Sequence, residues 1–170
     1  DLIIFSELML TGYPPEDLIL KPAFMEKCED AISELKLYLK GKTSTVILGT
    51  PYREGGKLFN TALVLRDGEI IEKHFKLALP NYGVFDEKRI FSHGEKFTEI
   101  KLKSFKIGLM VCEDIWIDQH MTDLSKNDLD LVVSINASPF DVNKISERES
   151  KAVDFSSNVG APLVYVNQVG

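Results

Sequence analysis

The run Phe105-Lys106-Ile107-Gly108-Leu109-Met110-Val111 ends abruptly at Cys112-Glu113-Asp114. A short apolar run closed by polar residues reads as a buried β-strand whose carboxyl end is open to chemistry. Downstream, Leu129-Asp130-Leu131-Val132-Val133-Ser134-Ile135 is a similar run closed by Asn136-Ala137-Ser138-Pro139, and Leu163-Val164-Tyr165-Val166 is another. Between them a helix is predicted from Lys144 to Asn158, stopped near Gly160. Upstream, Leu2-Ile3-Ile4-Phe5 reads as a buried strand ending at Ser6-Glu7, and Val46-Ile47-Leu48-Gly49 as a second. Thr61 to Leu65 and Ile70-Ile71 flank Asp67-Gly68, the pattern of a β-hairpin leading to Lys73-His74-Phe75-Lys76. From Pro22 to Leu39 the apolar residues Phe24, Cys28, Ala31, Ile32, Leu35, Tyr38 and Leu39 recur at helical spacing, with Gly41 placed to stop the helix. Thr11 to Pro15 and Leu79 to Gly83 read as loops, and Asp86 to Arg89 as a short helical turn. Strands alternating with helices, plus one hairpin, define an α/β architecture built on mixed sheets.

The 170 residues fit one domain, long enough to bury roughly 70% of the unfolded surface. A net charge of -6 from 20 basic and 26 acidic residues speaks against nucleic acid or an anionic membrane as partner, since both require a concentrated basic face. No apolar run reaches membrane-spanning length and no signal-peptide pattern opens the chain. Cys28 and Cys112 lie far apart and read as free thiols in a reducing cytoplasm. Cys28 falls on the apolar helix face and reads as a small core residue. The chain opens at Asp1 and closes at Gly170 beside strand-like runs, as a piece cut from a longer polypeptide would.

Ser6-Glu7, Lys76 and Cys112-Glu113-Asp114 each begin where an apolar strand runs out. In open α/β sheets the crevice outside strand carboxyl ends is the usual ligand site. A thiol of ordinary pKa is only ~3% thiolate at neutral pH. A nearby ammonium favours the thiolate, and a carboxylate can collect the thiol proton. Glu7, Lys76 and Cys112 together therefore suit attack on a carboxamide carbonyl, with Lys76 and a backbone N–H beside Cys112 steadying the oxyanion. Singly, each has an ordinary reading: a packed core thiol, a solvated carboxylate, a surface ammonium. A Cys–His pair drawn from His74, His93 or His120 explains neither Glu7 nor the surrounding motifs. The histidines are scattered and no His-x-x-x-His or Cys-x-x-Cys occurs, so no metal is expected.

Phe5-Ser6-Glu7-Leu8-Met9-Leu10-Thr11-Gly12-Tyr13-Pro14, Lys76-Leu77-Ala78-Leu79-Pro80 and Val111-Cys112-Glu113-Asp114-Ile115-Trp116 stand in the order expected of the nitrilase (carbon–nitrogen hydrolase) superfamily, which the chain resembles. The longer strings Thr11 to Leu18, Leu79 to Arg89, Asn136 to Phe140 and Tyr165 to Gly170 are similar to the N-terminal amidase domains of bacterial glutamine-dependent NAD synthetases. The resemblance implies a nitrilase-type α-β-β-α sandwich, here incomplete at both ends, with a Glu–Lys–Cys triad at Glu7, Lys76 and Cys112. It implies that glutamine is hydrolysed to glutamate and ammonia. The ammonia would pass to a C-terminal synthetase domain, which amidates nicotinic acid adenine dinucleotide with ATP and Mg. No cofactor is implied for this domain, which has no Gly-rich phosphate loop; a homo-oligomer is implied. Glu87 matches an acidic residue that orders the lysine. Tyr82, Glu113 and Ser138 resemble positions holding the amino-acid end of glutamine, and Lys144 or Arg148 its carboxylate. Many members carry His where this chain has Ala78. The rival readings are a stand-alone amidase or carbamoylase and a non-catalytic interaction module with a relic site.

Overall fold

The computed structural model describes residues 1–83, 85–141 and 144–168. Val84 of the Leu79–Arg89 string, and Val169 and Gly170 of the last one, lie outside the described residues. Two mixed sheets of four strands each form the centre. In the first, β1 (Leu2–Ile4) runs parallel to β2 (Thr45–Glu54), followed by antiparallel β3 (Lys57–Arg66) and β4 (Glu69–Phe75). In the second, β5 (Thr98–Leu102) is antiparallel to β6 (Phe105–Val111), and β7 (Leu131–Ile135) and β8 (Leu163–Val166) continue in parallel.

Side-chain alternation along the strands explains why the sheets stack. Ile47, Ala62 and Val64 of the first sheet pack against Ile100, Ile107, Leu109, Val111, Val133 and Ile135 of the second. The intervening residues face outward: Val46, Leu48, Leu63 and Leu65 meet Ile32 and Leu39 of α1 (Pro22–Leu39). On the other side Met110 and Val132 meet Leu124 of α2 (Asp118–Leu124) and Phe155 and Val159 of α3 (Lys144–Val159). The order helix, sheet, sheet, helix is the α-β-β-α sandwich. Among the described residues no helix is long and apolar enough to cross a membrane.

The hairpin turn forms as its residues require, with Asp67 at φ 50° and Gly68 at φ 78°. Three differences from the sequence reading have simple causes. Burial alternates along β1 instead of running through it. Leu2 and Ile4 pack inward while Ile3 stays 44% exposed. β2 and β3 extend to a tight hairpin whose turn, Gly55-Gly56, has φ 57° and 77°. β5 and α2 are short elements that gain stability from their neighbours rather than from their own pattern.

Two glycines bring the backbone close where the site needs it. A Cβ on Gly49 would sit 2.0 Å from the Ser6 carbonyl oxygen and 2.8 Å from the Glu7 carbonyl carbon. One on Gly94 would sit 2.2 Å from the Phe75 carbonyl oxygen, and the Gly94 amide donates to the Lys76 carbonyl at 2.8 Å. Gly49→Ala is accordingly expected to lower unfolding stability by about 1–3 kcal/mol, read from denaturant midpoints. An unchanged midpoint would mean that the Ser6–Leu8 segment yields without cost.

Candidate active site

β1, β4 and β6 all end at the same rim, and the residues singled out above lie at or shortly beyond those ends. Glu7 follows β1, Lys76 follows β4, and Cys112 opens a 3₁₀ turn (Cys112–Trp116) after β6. The ends of β7 and β8 reach the same rim and contribute Ala137, Ser138, Asn167 and Gln168.

Lys76 is 1% exposed, and its Nζ donates to Glu7 Oε1 at 2.7 Å and to Glu87 Oε1 at 2.8 Å. Glu7 is fully buried: Oε1 also accepts from Asn60 Nδ2 at 2.7 Å, and Oε2 accepts from the Ala137 amide at 2.9 Å. Gln168 Nε2 donates to the Glu7 carbonyl at 2.8 Å, so Glu7 of the first sheet is tied into the second. Glu87 Oε1 further accepts from Tyr13 at 2.9 Å, whereas Oε2 has no partner among the described residues.

These contacts set the charge states. Lys76 is desolvated by burial, but the charges of Glu7, Cys112 and Glu87 outweigh this and hold its ammonium well above the usual lysine range. Burial raises the Glu87 carboxyl, with Glu7 adding to the effect and Lys76 opposing it. Burial also pushes the Cys112 thiol well up, Glu7 reinforces the shift, and Lys76 and Ser138 counter it only in part. These surroundings favour the thiol over the thiolate, and a nucleophilic role for this sulfur would require a base to remove the proton. Glu7 Oε2 accepts from a single donor and so keeps capacity to accept a proton, as does the unpartnered Glu87 Oε2. Cys112 has φ 46°, a left-handed conformation that costs an ordinary residue roughly 1–2 kcal/mol.

Ser138 Oγ lies 3.8 Å from Cys112 Sγ and 3.1 Å from the Tyr165 hydroxyl. Beside it opens a cavity of about 610 Å³ lined by Tyr13, Phe85, Ser138, Phe140, Arg148 and Gln168, among others. Arg148 therefore reaches the cavity, its guanidinium donating to the Pro139 carbonyl, whereas Lys144 is exposed and does not line it. Tyr82 donates to Glu113 at 3.0 Å, its hydroxyl pushed up to about 12 by burial and by that hydrogen bond. The pair lines a different groove, of about 800 Å³, which shares no lining residue with the cavity beside Ser138. Asn60 and Tyr13, which hold the two carboxylates, escaped the sequence reading. The one available signal was Asn60-Thr61, a polar break between Phe59 and Ala62 in an apolar strand.

A buried Glu–Lys pair set against a thiol at strand ends, inside this sandwich, defines a carbon–nitrogen hydrolase. The sequence matches that family over residues 1–170, and the chain belongs to it. More particularly, it is similar to glutamine-dependent NAD(+) synthetases. It is 39% identical over its whole length to that of Acinetobacter baylyi and 40% identical over 99% of its length to that of Aquifex aeolicus. The chain spans about a third of these relatives, 31% and 30% of their lengths. The solved synthetase of Acinetobacter baumannii, in complex with ADP, superposes with a TM-score of 0.94 at 37% identity, covering 100% of this chain and 32% of that one.

The protonated resting thiol predicts a pH profile. Alkylation of Cys112 by iodoacetamide without substrate should be slow near neutrality and still rising past the ordinary thiol pKa of about 8.5. Glu7→Gln should move the profile to lower pH by removing negative charge. Peptide mapping across pH reads both, and a wild-type profile already level by about pH 8 would contradict the assignment.

Proposed function

We propose that this chain is a glutamine amidohydrolase domain that releases ammonia for NAD synthesis. The observation that carries the reading is Lys76, buried between Glu7 and Glu87 with the Cys112 thiol within their field. The names of the relatives supply the substrate.

Cys112 Sγ adds to the carboxamide carbon while Glu7 Oε2 takes the thiol proton. The carbonyl oxygen becomes an oxyanion. Two of the three Nζ hydrogens of Lys76 are taken by Glu7 and Glu87, which leaves the third for that oxyanion. The N–H groups opening the turn after Cys112 are further donors. Glu7 returns its proton to the departing nitrogen, the C–N bond breaks, and ammonia leaves a thioester on Cys112. Water then adds to the thioester carbon, Glu7 takes its proton, and the C–S bond breaks with that proton returning to sulfur. Glutamate is released.

Asn60 and the Ala137 amide keep the two Glu7 oxygens distinct, one facing Lys76 and one free for proton transfer. Tyr82, Glu113, Ser138 and Arg148 would hold the amino-acid end of glutamine, Arg148 being better placed than Lys144 for its carboxylate. The ammonia would serve a C-terminal synthetase domain, where ATP and Mg act in amidating nicotinic acid adenine dinucleotide, within a cytoplasmic homo-oligomer.

Steady-state kinetics should favour glutamine over a simple aliphatic amide by about 10²-fold or more in kcat/KM, because a site built for polar groups rejects a substrate that leaves them unpaired. Glutamine turnover no better than that of the simple amide would point to a general amidase. In the full-length protein, Cys112→Ala should abolish glutamine-dependent NAD formation and spare ammonia-dependent formation. Parallel loss of both would mean that Cys112 is structural.

A further inference from the structure

Asp114 is fully buried two residues past the nucleophile, and no step of the hydrolysis uses it. Its carboxylate nevertheless engages four donors. Oδ1 accepts from the Leu77 amide at 2.9 Å and the Ala78 amide at 2.8 Å. Oδ2 accepts from the Val111 amide at 2.9 Å and meets His74 Nε2, also buried, at 3.0 Å. Val111 immediately precedes Cys112. Leu77 and Ala78 immediately follow Lys76, and His74 stands two residues before it on β4. One carboxylate thus grips the chain on both sides of Lys76 and next to Cys112.

Burial alone would raise the Asp114 carboxyl. The hydrogen bond and charge of His74, with the Ala78 and Val111 amides, prevail and hold it below the usual range. Such a pair is a poor device for stability alone, because apolar residues of similar volume often serve as well. Apolar residues cannot, however, tie the amides after β4 and the last amide of β6 to one shared acceptor. The other His74 nitrogen, Nδ1, has no partner among the described residues, so the polar contact of the ring is with Asp114.

We propose that Asp114 is a positioning residue that holds Lys76 in register with Cys112, and that His74 fixes the rotation of its carboxylate so that both oxygens meet their amides. This rests on the assignment of Lys76 and Cys112 to the reaction, but not on glutamine as the substrate.

Asp114→Asn, His74→Gln and His74→Phe in the full-length protein test it. Asparagine keeps the volume but turns one acceptor into a donor facing N–H groups. Glutamine keeps a donor toward Asp114, and phenylalanine keeps none. Reactive Cys112 is counted by iodoacetamide incorporation and peptide mapping, and turnover is expressed per reactive site. Asp114→Asn should lower kcat per site by about 10²-fold with KM within about threefold, as expected when a reacting group is misplaced. It should also displace the Cys112 alkylation profile along the pH axis, because the cation moves relative to the sulfur. His74→Phe should lose about tenfold or more per site, and His74→Gln should stay within about threefold of wild type. A fall in the number of reactive sites, with kcat per site and pH profile unchanged, would overturn the proposal in favour of a structural role. Equal damage from His74→Gln and His74→Phe would overturn the part given to His74. Should Asp114→Asn not fold, the two His74 variants decide alone. Altered alkylation profiles in a protein that does not hydrolyse glutamine would refute the substrate and leave the positioning role standing.

Discussion

A lysine ammonium closed off from water governs this site. Removing such an ion from solvent costs several kcal/mol unless opposite charge and hydrogen bonds replace the lost hydration. For Lys76 the replacements are Glu7 and Glu87. Those carboxylates are themselves buried and need donors, which Asn60, Tyr13 and the Ala137 amide provide. A single interior cation thereby recruits the end of β1, the middle of β3, the loop at Tyr13, the turn at Glu87 and the loop after β7. Little freedom remains in the placement of any of them.

Cys112 is held by different means. Its thiol is kept protonated by burial and by nearby negative charge, and its backbone adopts a sparsely populated conformation. Reactivity therefore resides in the arrangement of acceptor and cation around the sulfur rather than in a free thiolate. Under the proposed mechanism attack would proceed only when a substrate brings an oxygen to the waiting donors, which would suit a hydrolase working among other carbonyl compounds.

Glu7, Lys76 and Cys112 were legible because each stands at or just past the end of a strand, within a local string of its own. The long helix, the Asp67-Gly68 hairpin and the strands flanking Cys112 were legible for the same reason. Asn60 was not, because an amide inside a strand declares its purpose only when its partner, remote in sequence, is in place. Asp114 was read as one of two acids after a cysteine; its amide partners, in the loop after β4, share no local pattern with it. Gly49 and Gly94 owe their identities to another segment passing within contact distance, which no periodicity records. Between Lys144 and Arg148, both cations near one helix start, the choice required seeing which side of α3 borders the cavity.

Glu7 and Lys76 hang from one sheet, and Cys112 and Ser138 from the other. The apolar layer between them therefore acts as a gauge block for the chemistry. Stacked sheets lie about 10 Å apart, and here Ala62, Val64, Val111 and Ile135 are among the side chains that set the spacing. A methylene gained or lost in that layer would alter the gap between sulfur and carboxylate while leaving every reacting group intact. Selection on these core volumes would then act through turnover well before it acted through the survival of the fold.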